Sequence, residues 1–306
     1  MGNCCRIKTM PYKYSDNGDQ TNQDTIVLPS DDLISSISST SSLWGIVQDY
    51  SINLYKDFSL YNNIRTQERV RSLHFTEDKL VFAGKTISIS SAKGEISGKL
   101  EGHERTITCL DSQSQYLASG SADWSLRLWD LNKLQELSKS VINWNVVTSI
   151  KYYLNTIIQT SEDLRLRIWD VRNGQINVDV ATSVGDNFAN CCDLEGFSIV
   201  TGHRGFDGIG CEVKLWDLRK VNFPVLELEG HVEAVQGVKF VKGSVVSCGK
   251  DGKIFVFGAD GKRKFSWEHL EKKPFCVMDR FKEGVLVGNV EPRVLYFSVD
   301  PLVQEM

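Results

Sequence analysis

No apolar run in the 306-residue chain approaches the roughly 18 residues that a membrane-spanning helix needs, and the first 30 residues lack the continuous apolar core of a secretory signal. The chain is therefore expected to stay on the cytosolic side of membranes. Its eight cysteines include no Cys-x-x-Cys pair and no partner histidine at ligand spacing, so a zinc site has no support. Five of them (Cys109, Cys191, Cys192, Cys211 and Cys248) fall in or beside predicted strands and read as reduced, small apolar side chains. Lysine and arginine number 35 against 39 acidic residues, which leaves no overall basic field to attract nucleic acid. The glycine-rich stretch 202–211 carries no Gly-Lys-Ser/Thr and does not open a helix, so it is not a phosphate loop.

What the chain does have is a repeat. Leu126 to Asp130 (LRLWD) returns as Leu166 to Asp170 (LRIWD) and as Val213 to Asp217 (VKLWD). Each copy alternates apolar and polar residues up to a Trp-Asp, as a half-buried strand ending in a turn does. Weaker copies stand around Tyr55, Ser90, Phe257 and Phe297, at steps of about 40 residues. One step, before Trp216, is 47 residues. A period of about 40 to 45 residues with a Trp-Asp ending is the signature of a β-propeller blade. With 41% apolar residues the chain reads as one all-β domain, a seven-bladed propeller over 24–300 with blades near 31–66, 67–101, 102–141, 142–181, 182–229, 230–269 and 270–299.

Thr25 to Leu28 (TIVL), closed by Pro29, is stranded ahead of the first blade, and few residues follow Val299. Ile26 to Leu28 is expected to pair with the blade containing Phe297, closing the ring and removing a free edge. Residues 1–23 are polar, broken by Pro11 and Gly18, and read as a flexible tail. The tail begins Met-Gly-Asn-Cys-Cys: Gly2 is a myristate acceptor after Met removal, and Cys4 and Cys5 would take palmitate. Two signals are needed, because a lone myristoyl chain gives only about 10⁴ M⁻¹ of membrane association. Arg6, Lys8 and Lys13 add attraction to anionic lipid, although Arg6 stands where the pattern asks for Ser or Thr. Two readings stay open, a membrane anchor or an accident of a disordered end.

Gly102-His103 precedes the inner strand of the third blade, followed by Ser119, by Asp123 in a turn and by Trp129. This resembles the WD-repeat family, in which such residues form a hydrogen-bonded chain that satisfies a buried indole and imidazole. Blade 4 has Asn143 and Gln159 at the His and Ser positions, and blade 6 keeps His231, Ser247 and Asp251 but has Phe257 for the indole. Each His-Asp pair is structural in this context. A narrower resemblance runs from 145 to 219. Asn145-Val-Val-Thr-Ser149, Ile158-Gln-Thr-Ser-Glu-Asp163, Leu166-Arg-Ile-Trp-Asp170 and Gly205-Phe-Asp-Gly-Ile-Gly-Cys-Glu212 leading to Leu215-Trp-Asp-Leu-Arg219 look like the WD repeat-containing protein 31 family. That resemblance implies a non-enzymatic scaffold associated with cilia, acting with small-GTPase regulators in ciliary trafficking.

On a propeller, partners dock through exposed aromatic and charged residues of the loops at one rim. By register Arg105, Trp124, Trp144, Glu162, Arg204 and Phe206 fall there, and proteins or peptides are the expected partners. Trp124 and Trp144 either bind a partner or pack on a neighbouring blade. The loop Gly202 to Cys211, whose four glycines exclude regular structure, is either a tolerated insertion or a partner-binding loop presenting His203, Arg204 and Phe206. On the opposite rim, Arg172 and Arg219 in Trp-Asp-x-Arg sequences resemble the motif by which some WD proteins join cullin-based ubiquitin ligases as substrate receptors. His74, His203 and His269 lie in different blades with no carboxylate cluster beside them, so no enzyme, cofactor or small-molecule substrate is expected.

Overall fold

Ser125–Asp130, the strand carrying LRLWD, is buried at every position, although its alternation predicts one buried face. The layering is the reason. Each blade packs both faces against neighbours, so the polar members are buried too and are satisfied internally. Arg127 pairs with Glu136 and lies over the Trp129 ring, and Asp130 accepts the backbone N–H groups of Asn132 and Lys133.

The computed structural model describes residues 32–299 except 143, 144, 173, 270 and 292, together with the backbone of the strands Ile7–Thr9, Tyr12–Lys13, Gln20–Thr21 and Gln23–Val27. Six antiparallel sheets of four strands span 34–65, 72–100, 107–141, 147–183, 189–228 and 235–268; a seventh is built from 275–298 and the N-terminal strand Gln23–Val27. Within each blade the strands run in chain order from the centre outward, and an apolar cluster fills each gap between blades. Trp129 packs with Ile87 and Ile89 of blade 2, whereas Leu126 and Leu128 of the same strand pack with Trp169 of blade 4. The period-2 pattern thus decides which neighbour each side chain meets.

Gln23–Val27 pairs antiparallel with Arg293–Ser298, Ile26 opposite Val294 and Gln23 opposite Phe297. The ring closes as the sequence predicts, with the strand starting two residues before Thr25; Leu28 lies outside the described residues. Ile7–Thr9 adds a fifth strand outside it, Ile7 opposite Ile26, and Tyr12–Lys13 pairs with Gln20–Thr21. The segment read as a flexible tail therefore carries strands of its own. Pairing to an open edge uses main-chain donors and acceptors, which a polar sequence has in full.

Candidate functional site

The seven inner strands surround a polar channel of about 1020 Å³. Six of the seven inner strands, all but Ser72–Phe75 of blade 2, have a bulge after the first core residue, and in blades 1, 3, 4 and 5 the bulged residue reaches the next blade. Thr108 donates to the Val147 carbonyl at 2.6 Å, Thr148 to Ala189 at 2.7 Å, Asn190 to Val235 at 3.2 Å and Ser35 to Val70 at 3.3 Å. One layer below, the seven equivalent positions are Ser38, His74, Asp111, Lys151, Asp193, Lys239 and Asp279. From blade 3 to blade 7 they alternate in sign. Lys151 Nζ lies 3.7 Å from Asp111 and 3.6 Å from Asp193, and Lys239 Nζ lies 2.7 Å from Asp279. The same carboxylates accept backbone N–H groups from the following blade, Asp111 from Tyr152 at 2.7 Å and Asp193 from Phe240 at 2.8 Å. Burial pulls the Lys151 ammonium toward neutrality, but Asp111, Asp193 and Asp279 outweigh it and hold the group protonated. Burial opposes the Asp279 charge, and Lys239 and Lys151 override it to lower that carboxyl.

His74 has one carboxylate neighbour rather than a cluster. Its Nδ1 is 3.7 Å from Asp111, and its Nε2 is 2.8 Å from Ser112 Oγ. Ser112, His74 and Asp111 together look like a nucleophile, base and orienting acid, yet 3.7 Å is too long for the hydrogen bond that would orient the imidazole. The Ser112 contact also recurs elsewhere in the ring: Ser39 Oγ of blade 1 stands 3.1 Å from Asp279 of blade 7 at the same pair of positions. It is a stitch between blades. Burial lowers the His74 pKa, which keeps the ring neutral at that blade. The sequence scan passed over Asp111, Lys151, Asp193, Lys239 and Asp279; lining up the inner strands rather than the Trp-Asp strands would have found them.

The chain expected inside blade 3 is present. Trp129 Nε1 donates to Ser119 Oγ at 2.8 Å, Ser119 meets His103 Nε2 at 2.7 Å, and His103 Nδ1 meets Asp123 at 2.8 Å. Burial works against the Asp123 carboxylate, but His103, Ser125 and the Glu104 N–H overcome it and depress its pKa. Blade 6 keeps His231 between Ser247 and Asp251, with Phe255 edge-on to the imidazole. In blade 4, Trp169 donates to Gln159 at 3.2 Å; Asn143 lies outside the described residues. Blade 5 corrects the reading of His203. Trp216 donates to Thr201 at 2.9 Å, Thr201 meets His203 Nε2 at 3.0 Å, and His203 Nδ1 donates to the Asn187 carbonyl at 3.0 Å. His203 is 1% exposed and presents nothing to a partner. It reaches the tetrad from the end of the second strand, and burial pushes its pKa down to about 4.

The antiparallel order puts the loops entering the inner strands and those joining second to third strands on one rim, called upper here. Arg105, Glu162, Arg204 and Phe206 are exposed on it. Arg105 covers the half-buried Trp124 at 5.1 Å from the ring centroid, and Arg204 lies 5.6 Å from the Phe188 ring centroid. Trp144 lies outside the described residues, as do Gly2, Cys4 and Cys5. The glycine-rich loop is not irregular. Phe206 and Ile209 exchange backbone hydrogen bonds of 3.1 Å across Asp207 (φ 53°) and Gly208 (φ 77°), a two-residue hairpin turn with both φ values positive. Arg172 and Arg219 are exposed on the opposite rim, each folded back onto its own Asp170 or Asp217. Among the described residues no group of three or more His, Cys, Asp and Glu is placed to hold a metal.

The family described as WD domain, G-beta repeat matches residues 94–130, which includes Trp129 and Asp130. The Ribosome biogenesis protein WDR12 homolog of Drosophila mojavensis is 30% identical over 181 residues, 57% of this chain and 41% of that protein. Kinesin-like protein KIF21B of Mus musculus is 26% identical over 206 residues, 58% of this chain and 12% of that protein. Mitochondrial division protein 1 of Eremothecium gossypii is 27% identical over 180 residues, 49% of this chain and 24% of that protein. The chain thus spans less than half the length of these relatives. Among solved structures, the WD40 β-propeller domain of Doa1 superposes with a TM-score of 0.76 at 19% identity, covering 89% of this chain and 94% of that one. The computationally designed Ika8 protein does so with a TM-score of 0.70 at 19% identity, over 89% and 98%. With the seven sheets and the closing strand described above, these matches make the fold a seven-bladed WD40 β-propeller, an architecture that typically serves as a protein-interaction scaffold.

Proposed function

We propose that the chain is a non-enzymatic scaffold that docks partner proteins on its upper rim, is held to a membrane by acylation of Gly2, Cys4 and Cys5, and works in cilium assembly or ciliary trafficking with small-GTPase regulators. One observation carries the scaffold part. The channel, where an enzyme of this architecture would place its chemistry, has its carboxylates, ammonium groups and hydroxyls engaged in stitching one blade to the next, while the upper rim presents an exposed hairpin tip that no other part of the described chain covers. The ciliary part is supported by the resemblance of residues 145–219 to the WD repeat-containing protein 31 family. The relatives' names point to ribosome biogenesis, a kinesin-like protein and mitochondrial division, so what they share is the propeller rather than one pathway.

The test is imaging of the full chain, tagged at its C-terminus, in ciliated cells fed a myristate analogue. Incorporation that is lost in Gly2→Ala, with enrichment at the ciliary base, is the expected result. Absence of incorporation removes the anchor, and a uniform distribution removes the ciliary role. The substrate-receptor alternative rests on the exposure of Arg172 and Arg219. It predicts co-purification of ligase adaptors that Arg172→Ala with Arg219→Ala abolishes. The bidentate closure of Arg219 on Asp217, and the pairing of Arg172 with Asp170, occupy guanidinium donors and favour the scaffold without that partner.

A further inference from the structure

The geometry points to the Phe206–Ile209 hairpin tip and the adjoining turn at Val232 as a docking site for a partner segment that carries apolar side chains among lysines and arginines. The inference rests on the scaffold reading and narrows it to one part of the rim and one partner chemistry.

Three large apolar side chains are unusually bare here: Phe206 is 76% exposed, Ile209 75% and Val232 46%. They belong to one structural unit. Gly208 N–H donates to the Val232 carbonyl at 2.8 Å, and Phe206 bridges Glu233 of the same turn. On the other side Arg204 N–H donates to the Phe188 carbonyl at 3.0 Å, so the tip is tied to blades 5 and 6 at once. Glycine is required where the loop folds over itself. A Cβ on Gly205 would stand 2.0 Å from the Ile209 carbonyl oxygen, and one on Gly210 would stand 1.7 Å from Asn187 Nδ2. A tip held in this way loses little conformational entropy when it binds, so the buried apolar area counts more fully toward affinity.

Charge selects the occupant. The loops around the tip carry Asp186, Asp207, Glu212, Glu229 and Glu233 against Arg204 and Lys250, and none of the five carboxylates forms an ion pair with a described residue. Arg204 is already engaged over the Phe188 ring. An acidic border around an apolar centre is complementary to a basic, apolar segment and repels an acidic one. It also repels a second copy of itself, which argues against self-association through this face.

The test selects peptides about twelve residues long from a random library on phage, with the purified full chain as bait, and then measures the enriched peptides by fluorescence anisotropy. The expected peptides combine apolar residues with Lys or Arg. Their affinity should fall at least tenfold with Phe206→Ser plus Ile209→Ser, about threefold or more with Asp207→Asn plus Glu233→Gln, and further as salt rises. Both pairs of substitutions are at the surface, so an unchanged melting temperature certifies the fold. Enrichment of acidic or uncharged peptides, affinity indifferent to both variants, or no enrichment at all would overturn the inference. Peptides that bind elsewhere on the rim would remove this site and leave the scaffold reading standing.

Discussion

Replacing Lys151 by Met keeps the length of the side chain and removes the charge that bridges blades 3 and 5 from blade 4. Its Nζ stands 3.7 Å from Asp111 and 3.6 Å from Asp193. At an effective dielectric of about 20 each contact has a gross attraction of about 4 to 5 kcal/mol. Desolvation of the ammonium offsets a large part of that, and the side chain is 27% exposed to channel water, which screens it further. The net loss should be about 2 kcal/mol, and the melting temperature should drop by roughly 3 to 4 °C. Urea unfolding with a double-mutant cycle tests the cause. Lys151→Met, Asp193→Asn and the pair together should yield a coupling of about 1 kcal/mol or more. Lys262, paired to Asp260 but 85% exposed, serves as control and should leave the midpoint unchanged on replacement by Met. A Lys151→Met protein that melts within about a degree of the parent, or a coupling near zero, would refute the idea that the alternating ring holds blades together.

Three other outcomes follow from the geometry. Ser119→Ala strands two buried polar groups, the Trp129 indole N–H and the His103 Nε2, and should cost about 2 to 4 kcal/mol in chemical denaturation. His203 is held neutral with a pKa of about 4 against an ordinary 6.5. A depressed histidine contributes stability that is whole above about pH 6.5 and is lost as pH falls toward 4, because the unfolded chain takes up the proton first. Over that window the parent should lose on the order of 2 to 3 kcal/mol through this residue, and His203→Gln should flatten the slope; His74 and His269, also lowered by burial, leave a remainder of the same sign. A chain beginning at residue 23 should melt near the full chain, while one beginning at residue 31, lacking the closing strand, should melt roughly 5 to 10 °C lower in calorimetry.

The architecture was legible because blades 3, 4 and 5 repeat one strand whose Trp fills the gap to a neighbour, so Trp129, Trp169 and Trp216 announce the period that the weaker copies then follow. The closing strand was legible for the same reason, since an unpaired apolar run had one open edge to meet. The tetrad of blade 3 followed from its spacing. His203 did not, because its tetrad uses a histidine from the second strand in place of one ahead of the inner strand, and only the fold shows that both routes end beside Thr201. The hairpin tip was hidden in a loop only ten residues long. Its Asp-Gly turn is flanked by single apolar residues, Phe206 and Ile209, too few to show alternation, though Asp207-Gly208 itself was a readable signal. The inner ring was hidden differently: one polar residue per blade has no local pattern, and its meaning depends on a neighbour some 40 residues away.

That ring also explains why its charge pattern is imperfect. Signs can alternate without a break only around an even number of positions, and this ring has seven. Asp111, Lys151, Asp193, Lys239 and Asp279 alternate from blade 3 to blade 7, and a sixth and seventh charge could not both avoid a like neighbour unless one position were neutral. The chain leaves both remaining positions neutral. Ser38 in blade 1 accepts the Phe75 N–H at 3.3 Å, and His74 in blade 2 has its proton affinity lowered by burial. The neutral pair lies beside the blade 7 to blade 1 junction, where the N-terminal strand closes the ring and where Asp279 meets the Ser39 hydroxyl in place of a cation. A blade slipped by one place would set Asp against Asp or Lys against Lys on a buried inner strand. The odd count and the charge order therefore select one circular arrangement, and the closing strand completes the blade at the junction that the inner ring leaves without an ion pair, where Lys282 and Asp57, 2.7 Å apart nearer the outside, supply one instead.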